Sequence, residues 1–127
     1  DKELASTLQR NYRQSRRTAR QALRKDADVE TLHRFRKRVK YLFYQIELLS
    51  RYRHPLGTDL SLLGSMLGKI HDLQVLQVEL DNVVSASAQR GLVKQLLRQQ
   101  LKLLRKAVDP VCSRCFAEPR LQGFSQD

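Results

Sequence analysis

The chain has 127 residues, with 24 Lys and Arg against 13 Asp and Glu, two cysteines, no tryptophan, five glycines and three prolines. A length of this order and an apolar share of 41% suffice for one domain with a single modest core. No window nears the roughly 18 uninterrupted apolar residues of a membrane span and no signal peptide heads the chain, so a cytoplasmic protein without membrane attachment is expected.

The few glycines and prolines, beside abundant Leu, Arg, Gln and Lys, point to helix rather than sheet. Leu4, Leu8, Tyr12, Ser15, Ala19 and Ala22 recur every three or four residues, which predicts a first helix over residues 3 to 25. Its opposite face carries Arg10, Arg13, Arg17, Arg20 and Arg24 within about 60° of a common line, with Arg16 beside it. Like charges at these spacings destabilise an isolated helix by a few tenths of a kcal/mol per pair, a cost that a bound anion would relieve.

Asp28 is a plausible cap for a second helix, which runs from near Val29 until Pro55 forbids continuation. Its core seam is Leu32, Phe35, Val39, Leu42, Ile46 and Leu49, and the roughly opposite stripe is His33, Lys37, Lys40, Tyr44, Glu47 and Arg51, with Arg36 on the flank. Phe35 belongs to the seam and Phe43 lies beside it, and of the aromatics on this helix only Tyr44 falls on the cationic stripe, so core packing is expected for most of them.

After a Pro55-Leu56-Gly57 turn, Thr58 or Asp59 can cap a third helix. Its inward residues would be Leu60, Leu63, Leu67, Ile70, Leu73 and Leu80, with Gly64 and Gly68 allowing close approach of a neighbour. Ser85-Ala86-Ser87 marks a break. A fourth helix then carries Leu92, Leu96, Leu97, Leu101 and Leu104 to Asp109-Pro110, with Lys94, Arg98, Lys102 and Arg105 along its polar side, expected to be a solvated face. The fold expected is an all-α four-helix bundle over 1–110, followed by a short capping segment or partly disordered tail over 111–127. Cys112 and Cys115 lack the two further ligands that zinc needs and the context of a thioredoxin-like site, so free thiols are expected.

The charge is concentrated: residues 10 to 40 hold twelve Lys and Arg against three acids. Arg outnumbers Lys by 16 to 8, and the planar guanidinium fork grips phosphate oxygens in pairs. This composition points to a polyanion partner; a solvated basic face is the alternative.

His33-Arg34-Phe35-Arg36-Lys37-Arg38-Val39-Lys40-Tyr41, followed by Gln45-Ile46-Glu47-Leu48-Leu49, resembles the CHAD family, the conserved-histidine alpha-helical domain. Leu67-Gly68-Lys69-Ile70-His71-Asp72-Leu73-Gln74-Val75-Leu76 is similar to that family's Leu-Gly-x-x-x-Asp-Leu-x-x-Leu signature. Tyr12-Arg13-x-x-Arg16-Arg17-x-x-Arg20 resembles its opening basic helix. The resemblance implies a helical module that binds inorganic polyphosphate in a basic cleft, often beside triphosphate-tunnel metalloenzyme domains, with no cofactor and no catalysis of its own. It implies as binders Arg13, Arg16, Arg20, His33, Arg36, Lys37, Lys40 and Lys69, with Tyr44 as a hydrogen-bond donor and Asp72 as an orienting ion-pair partner. The family's full module is two four-helix halves, and this chain has the length of one, with wording closer to the second. A second half in cis, or pairing with itself, is therefore expected.

On this reading the rows of helices one and two face a common cleft. Binding through six contacts would then fall with salt at a log-log slope of about −4, by analogy with single-stranded nucleic acid. The first alternative is a nucleic-acid backbone binder, which a basic helix cannot distinguish by composition. The second is an HD-type metal phosphohydrolase, with His33, His71, Asp72 and Asp81 or Asp109 fitted to its ligand order. It is disfavoured because a dense row of cations repels a divalent metal.

Overall fold

A computed structural model describes residues 2–50, 54–83 and 88–124. They form four α-helices, α1 (Lys2–Ala22), α2 (Val29–Leu49), α3 (Pro55–Asp81) and α4 (Ala88–Cys115), and no strand occurs among the described residues. Each helix packs on the next in sequence, α1 on α2, α2 on α3 and α3 on α4, as short connections between antiparallel neighbours require.

The apolar periodicity sets the core. Leu8, Tyr12, Ala19 and Ala22 of α1, Leu32, Phe35, Val39, Leu42 and Ile46 of α2, and Leu60, Leu63, Leu67 and Ile70 of α3 are buried in one core cluster, and Ser15 of α1 is buried as well. Asp28 caps α2, its Oδ1 accepting the Thr31 amide at 2.8 Å, and these hydrogen bonds hold its carboxyl below the usual range.

Three expectations are corrected. Pro55 is the first residue of α3 rather than part of a turn, a position where its missing N–H costs nothing, and the cap is His54, whose Nδ1 accepts from the Leu56 amide at 3.1 Å. The fourth helix does not stop at Asp109-Pro110 but continues to Cys115. An interior proline costs about 3 kcal/mol, but Val108, Val111, Cys112, Cys115 and Phe116 are all buried there, each contributing about 1.5–3 kcal/mol when fully covered. Finally, Leu92 and Leu96 are about half exposed, and the α4 seam begins at Leu97 and Leu101. The Arg105 guanidinium donates to the Lys25 and Ala27 carbonyls and so sits level with the α1–α2 turn. The first half of α4 therefore runs beyond the end of α1 and α2. The expected break at Ser85-Ala86-Ser87 lies outside the described residues.

Residues 116–124 return along α1 and are fastened to it. Gln9 donates to the Leu121 and Phe124 carbonyls, both at 2.7 Å, and accepts the Leu121 amide. The Tyr12 hydroxyl donates to the Glu118 carbonyl at 2.8 Å and its ring lies 5.6 Å from that of Phe116. Phe116 and Leu121 thereby join the core.

Candidate anion-binding surface

Antiparallel packing of α2 and α3 sets residues of the two helices in register. His33 faces His71, with ring centroids 4.7 Å apart and planes 25° from parallel. One turn on, Arg36 lies over Gly68, where an added methyl would meet Nε at 3.4 Å. After a further turn the Lys40 stem crosses Gly64, with Cγ 3.8 Å from where a methyl would be. At the far end Glu47 Oε1 comes within 3.0 Å of the corresponding position on Gly57. Arg36 and Lys40 of α2 thus lie along α3 beside its two mid-helix glycines, while His33 stacks on His71.

This ladder lacks partners. Nδ1 of His33, Nε of Arg36 and Nδ1 of His71 are buried without a hydrogen bond, and among the described residues no carboxylate pairs with Arg36, Lys37, Lys40 or Lys69. Partial desolvation, then the charges of Lys37, His71 and Arg36, lower the proton affinity of His33. Lys40 is exposed where it crosses Gly64, Lys69 is exposed beside Gly68 on α3, and Lys37 is exposed on α2, where it also lines a hollow with Asn11 and Ser15 of α1.

The α1 row does not join this ladder. Contacts from α1 to α2 run through Asn11, which donates to Gln45 at 2.9 Å, and Gln14, which accepts from Arg38 at 3.0 Å. Arg16 points the other way, its Nε donating to the Phe116 carbonyl at 3.0 Å. Exposed Arg13 and Arg20 lie within about 60° of Arg16 and more than about 150° from Asn11, at about 100° per residue. The expected single cleft lined by facing rows of helices one and two is therefore corrected to two surfaces. Helices that pack side by side bury the sides by which they touch, and the arginines of α1 occupy neither that side nor the core.

The remaining site residues divide as follows. Asp72 is exposed and, among the described residues, has no ion-pair partner, so the expected orienting pair is not formed. Tyr44 is 56% exposed beside the ladder, and Tyr41, expected in the core, is 64% exposed. Arg51 lies outside the described residues. No three His, Cys, Asp or Glu side chains gather among the described residues; Asp81 pairs with Lys94 and Asp109 lies beside α1 in a different cleft. The stacking of His71 on His33 was the residue pairing that helix patterns alone missed, because it follows only from the register of α2 against α3.

Cys112 and Cys115 are free and buried, and burial pushes both thiols up to about 12. No described helix is long and apolar enough to cross a membrane.

Comparison with known proteins adds one finding. The sequence profile of the CHAD domain matches residues 1–55, which span α1, the intervening turn and α2. Residues 1–55 are thus CHAD-family sequence, and they carry two of the three motifs on which the resemblance was based. No curated protein and no solved structure matches the chain.

Proposed function

We propose that this CHAD-family chain binds inorganic polyphosphate, without altering it chemically, along the basic ladder between α2 and α3. The observation that supports the reading best is the run His33, Arg36 and Lys40, seated on Gly68 and Gly64 and stacked on His71, with two buried nitrogens on α2 that lack any acceptor. A linear polyphosphate offers acceptors at every unit and no base to be read, which matches a row of donors spaced by helical turns. Lys37 and Lys69 flank the row as exposed cations. Arg13, Arg16 and Arg20 form a separate basic surface on α1, which a long chain can reach only by wrapping around the bundle or by crossing to a second four-helix unit.

Calorimetry with orthophosphate, tripolyphosphate and long-chain polyphosphate in about 0.15 M salt tests this, since screening at that strength suppresses distant charge effects. Long chains are expected to bind tightly and orthophosphate weakly, with long-chain binding weakened at least tenfold in Lys37→Ala combined with Lys40→Ala. Equal affinity for orthophosphate and long chains would overturn the multisite reading.

A second reading rests on the exposure of Tyr41 and Tyr44 beside Lys37 and Lys40, which suits base stacking on a single-stranded nucleic acid. Competition decides: failure of long polyphosphate to displace RNA at equal phosphate concentration would favour the nucleic acid.

A further inference from the structure

A separate cleft lies away from the ladder. It has a volume of about 840 Å³ and forms where the end of α1 and the α1–α2 turn meet the start of the α4 seam. Sites for small organic ligands commonly span about 300–1,000 Å³, with an apolar lining and a few placed polar groups. Six cations line this one, Arg24 and Lys25 from the α1–α2 turn and Arg98, Lys102, Arg105 and Lys106 from α4, against a single acid, Asp109. The expected solvated row of α4 is thereby split. Lys94 pairs with Asp81, whereas Arg98, Lys102 and Arg105 turn to a cavity that only folding creates.

Two features separate the cleft from a generic basic surface. Its floor is aliphatic, formed by half-buried Leu23 and by the edges of the core residues Leu32, Ile70, Leu101 and Val108, each at most 8% exposed. One of its cations is fixed in advance: Arg105 donates from Nη1 to the Lys25 carbonyl at 3.3 Å and from Nη2 to the Ala27 carbonyl at 3.2 Å. Those acceptors are neutral, so the guanidinium is oriented without being engaged in an ion pair. Among the described residues neither Asp109 nor any other carboxylate forms an ion pair with the six cations. An inorganic anion would satisfy the cations and leave the aliphatic floor wet. An apolar molecule would cover the floor and desolvate the cations without return. A ligand that carries both parts uses the whole site.

We infer that this cleft binds an organic phosphate of nucleotide size, its phosphates held by Arg98, Lys102 and Arg105 and its apolar or planar portion laid on Leu23, Leu32 and Leu101. The site is independent of the ladder between α2 and α3, since the two share no residue.

The test is calorimetric titration of the full chain with ATP and with inorganic tripolyphosphate, for wild type, for Arg98→Glu combined with Lys102→Glu, and for Lys37→Ala combined with Lys40→Ala. Both pairs are exposed, and thermal melts check that each variant folds. ATP is expected to bind wild type at least tenfold more tightly than tripolyphosphate. It should lose at least tenfold in the α4 double variant and stay within twofold in the α2 double variant. Three results would overturn the inference: no binding of ATP to wild type, equal affinity for ATP and tripolyphosphate, or ATP affinity unchanged in the folded α4 variant. Failure of long-chain polyphosphate to bind would instead count against the ladder alone.

Discussion

His33 lies face to face with His71, its Nδ1 buried and cations beside it, an arrangement that disfavours charging His33. Desolvation, Lys37, His71 and Arg36 together hold His33 below its ordinary value of 6.5. A base depressed by folding binds its proton less readily in the native state, so its contribution to stability is present above about 6.5 and is lost as pH falls toward the folded value. An anion on the ladder reverses the sign, favouring the charged ring. Acidification below about 6.5 should therefore lower the melting temperature of the free protein and tighten polyphosphate binding, and His33→Gln should flatten both dependences. Parallel pH profiles for the variant and wild type, in melts and in calorimetry, would exclude this role. The thiols behave in the opposite way. With Cys112 and Cys115 buried and pushed up to about 12, neither supplies thiolate near neutrality. A disulfide-exchange reagent should label them only at the rate of unfolding, so rapid labelling of the native chain would contradict their burial.

At the scale of elements, the helical seams were legible because apolar spacing of three and four admits one burial pattern: Leu32, Phe35, Val39, Leu42 and Ile46 are all in the core. The ends were less legible. Pro55 reads equally as a stop for the helix before it and a start for the one after, and the N1 position of α3 used the second property. Pro110 reads as a stop, yet the apolar face from Val108 to Phe116 carries α4 past it. The tail looked peripheral because its partners are over a hundred residues away: Gln9 with Leu121 and Phe124, and Tyr12 with Glu118. Periodicity placed the cations correctly on each helix but could not say which side each helix turns to its neighbour. That is why the arginines of α1 and the ladder of α2 looked like facing rows. The strap makes a prediction of its own. Gln9→Leu leaves the Leu121 and Phe124 carbonyls and the Leu121 amide without their buried partner, and should cost about 1–3 kcal/mol in denaturant unfolding. A loss under a few tenths would mean that the Gln9 hydrogen bonds add nothing to the fold.

For the whole molecule, a formal net charge of +11 is tolerated because the bundle spreads it over several surfaces: the outer face of α1, the ladder between α2 and α3, and the cleft against α4. A polyanion neutralises such surfaces one at a time, and the number of contacts it makes is written in the salt dependence of its binding. Arg36, Lys37, Lys40 and Lys69 supply four permanent charges on the ladder, which by analogy with single-stranded nucleic acid gives a log-log slope of about −3. The most direct measurement is this slope for long-chain polyphosphate at neutral pH, taken for wild type, for Lys37→Ala with Lys40→Ala, and for Arg13→Ala with Arg20→Ala. The α2–α3 ladder predicts that the α2 pair roughly halves the slope while the α1 pair leaves it nearly unchanged. A slope abolished by the α1 pair and untouched by the α2 pair would put the polyphosphate on the outer face of α1 and contradict the ladder.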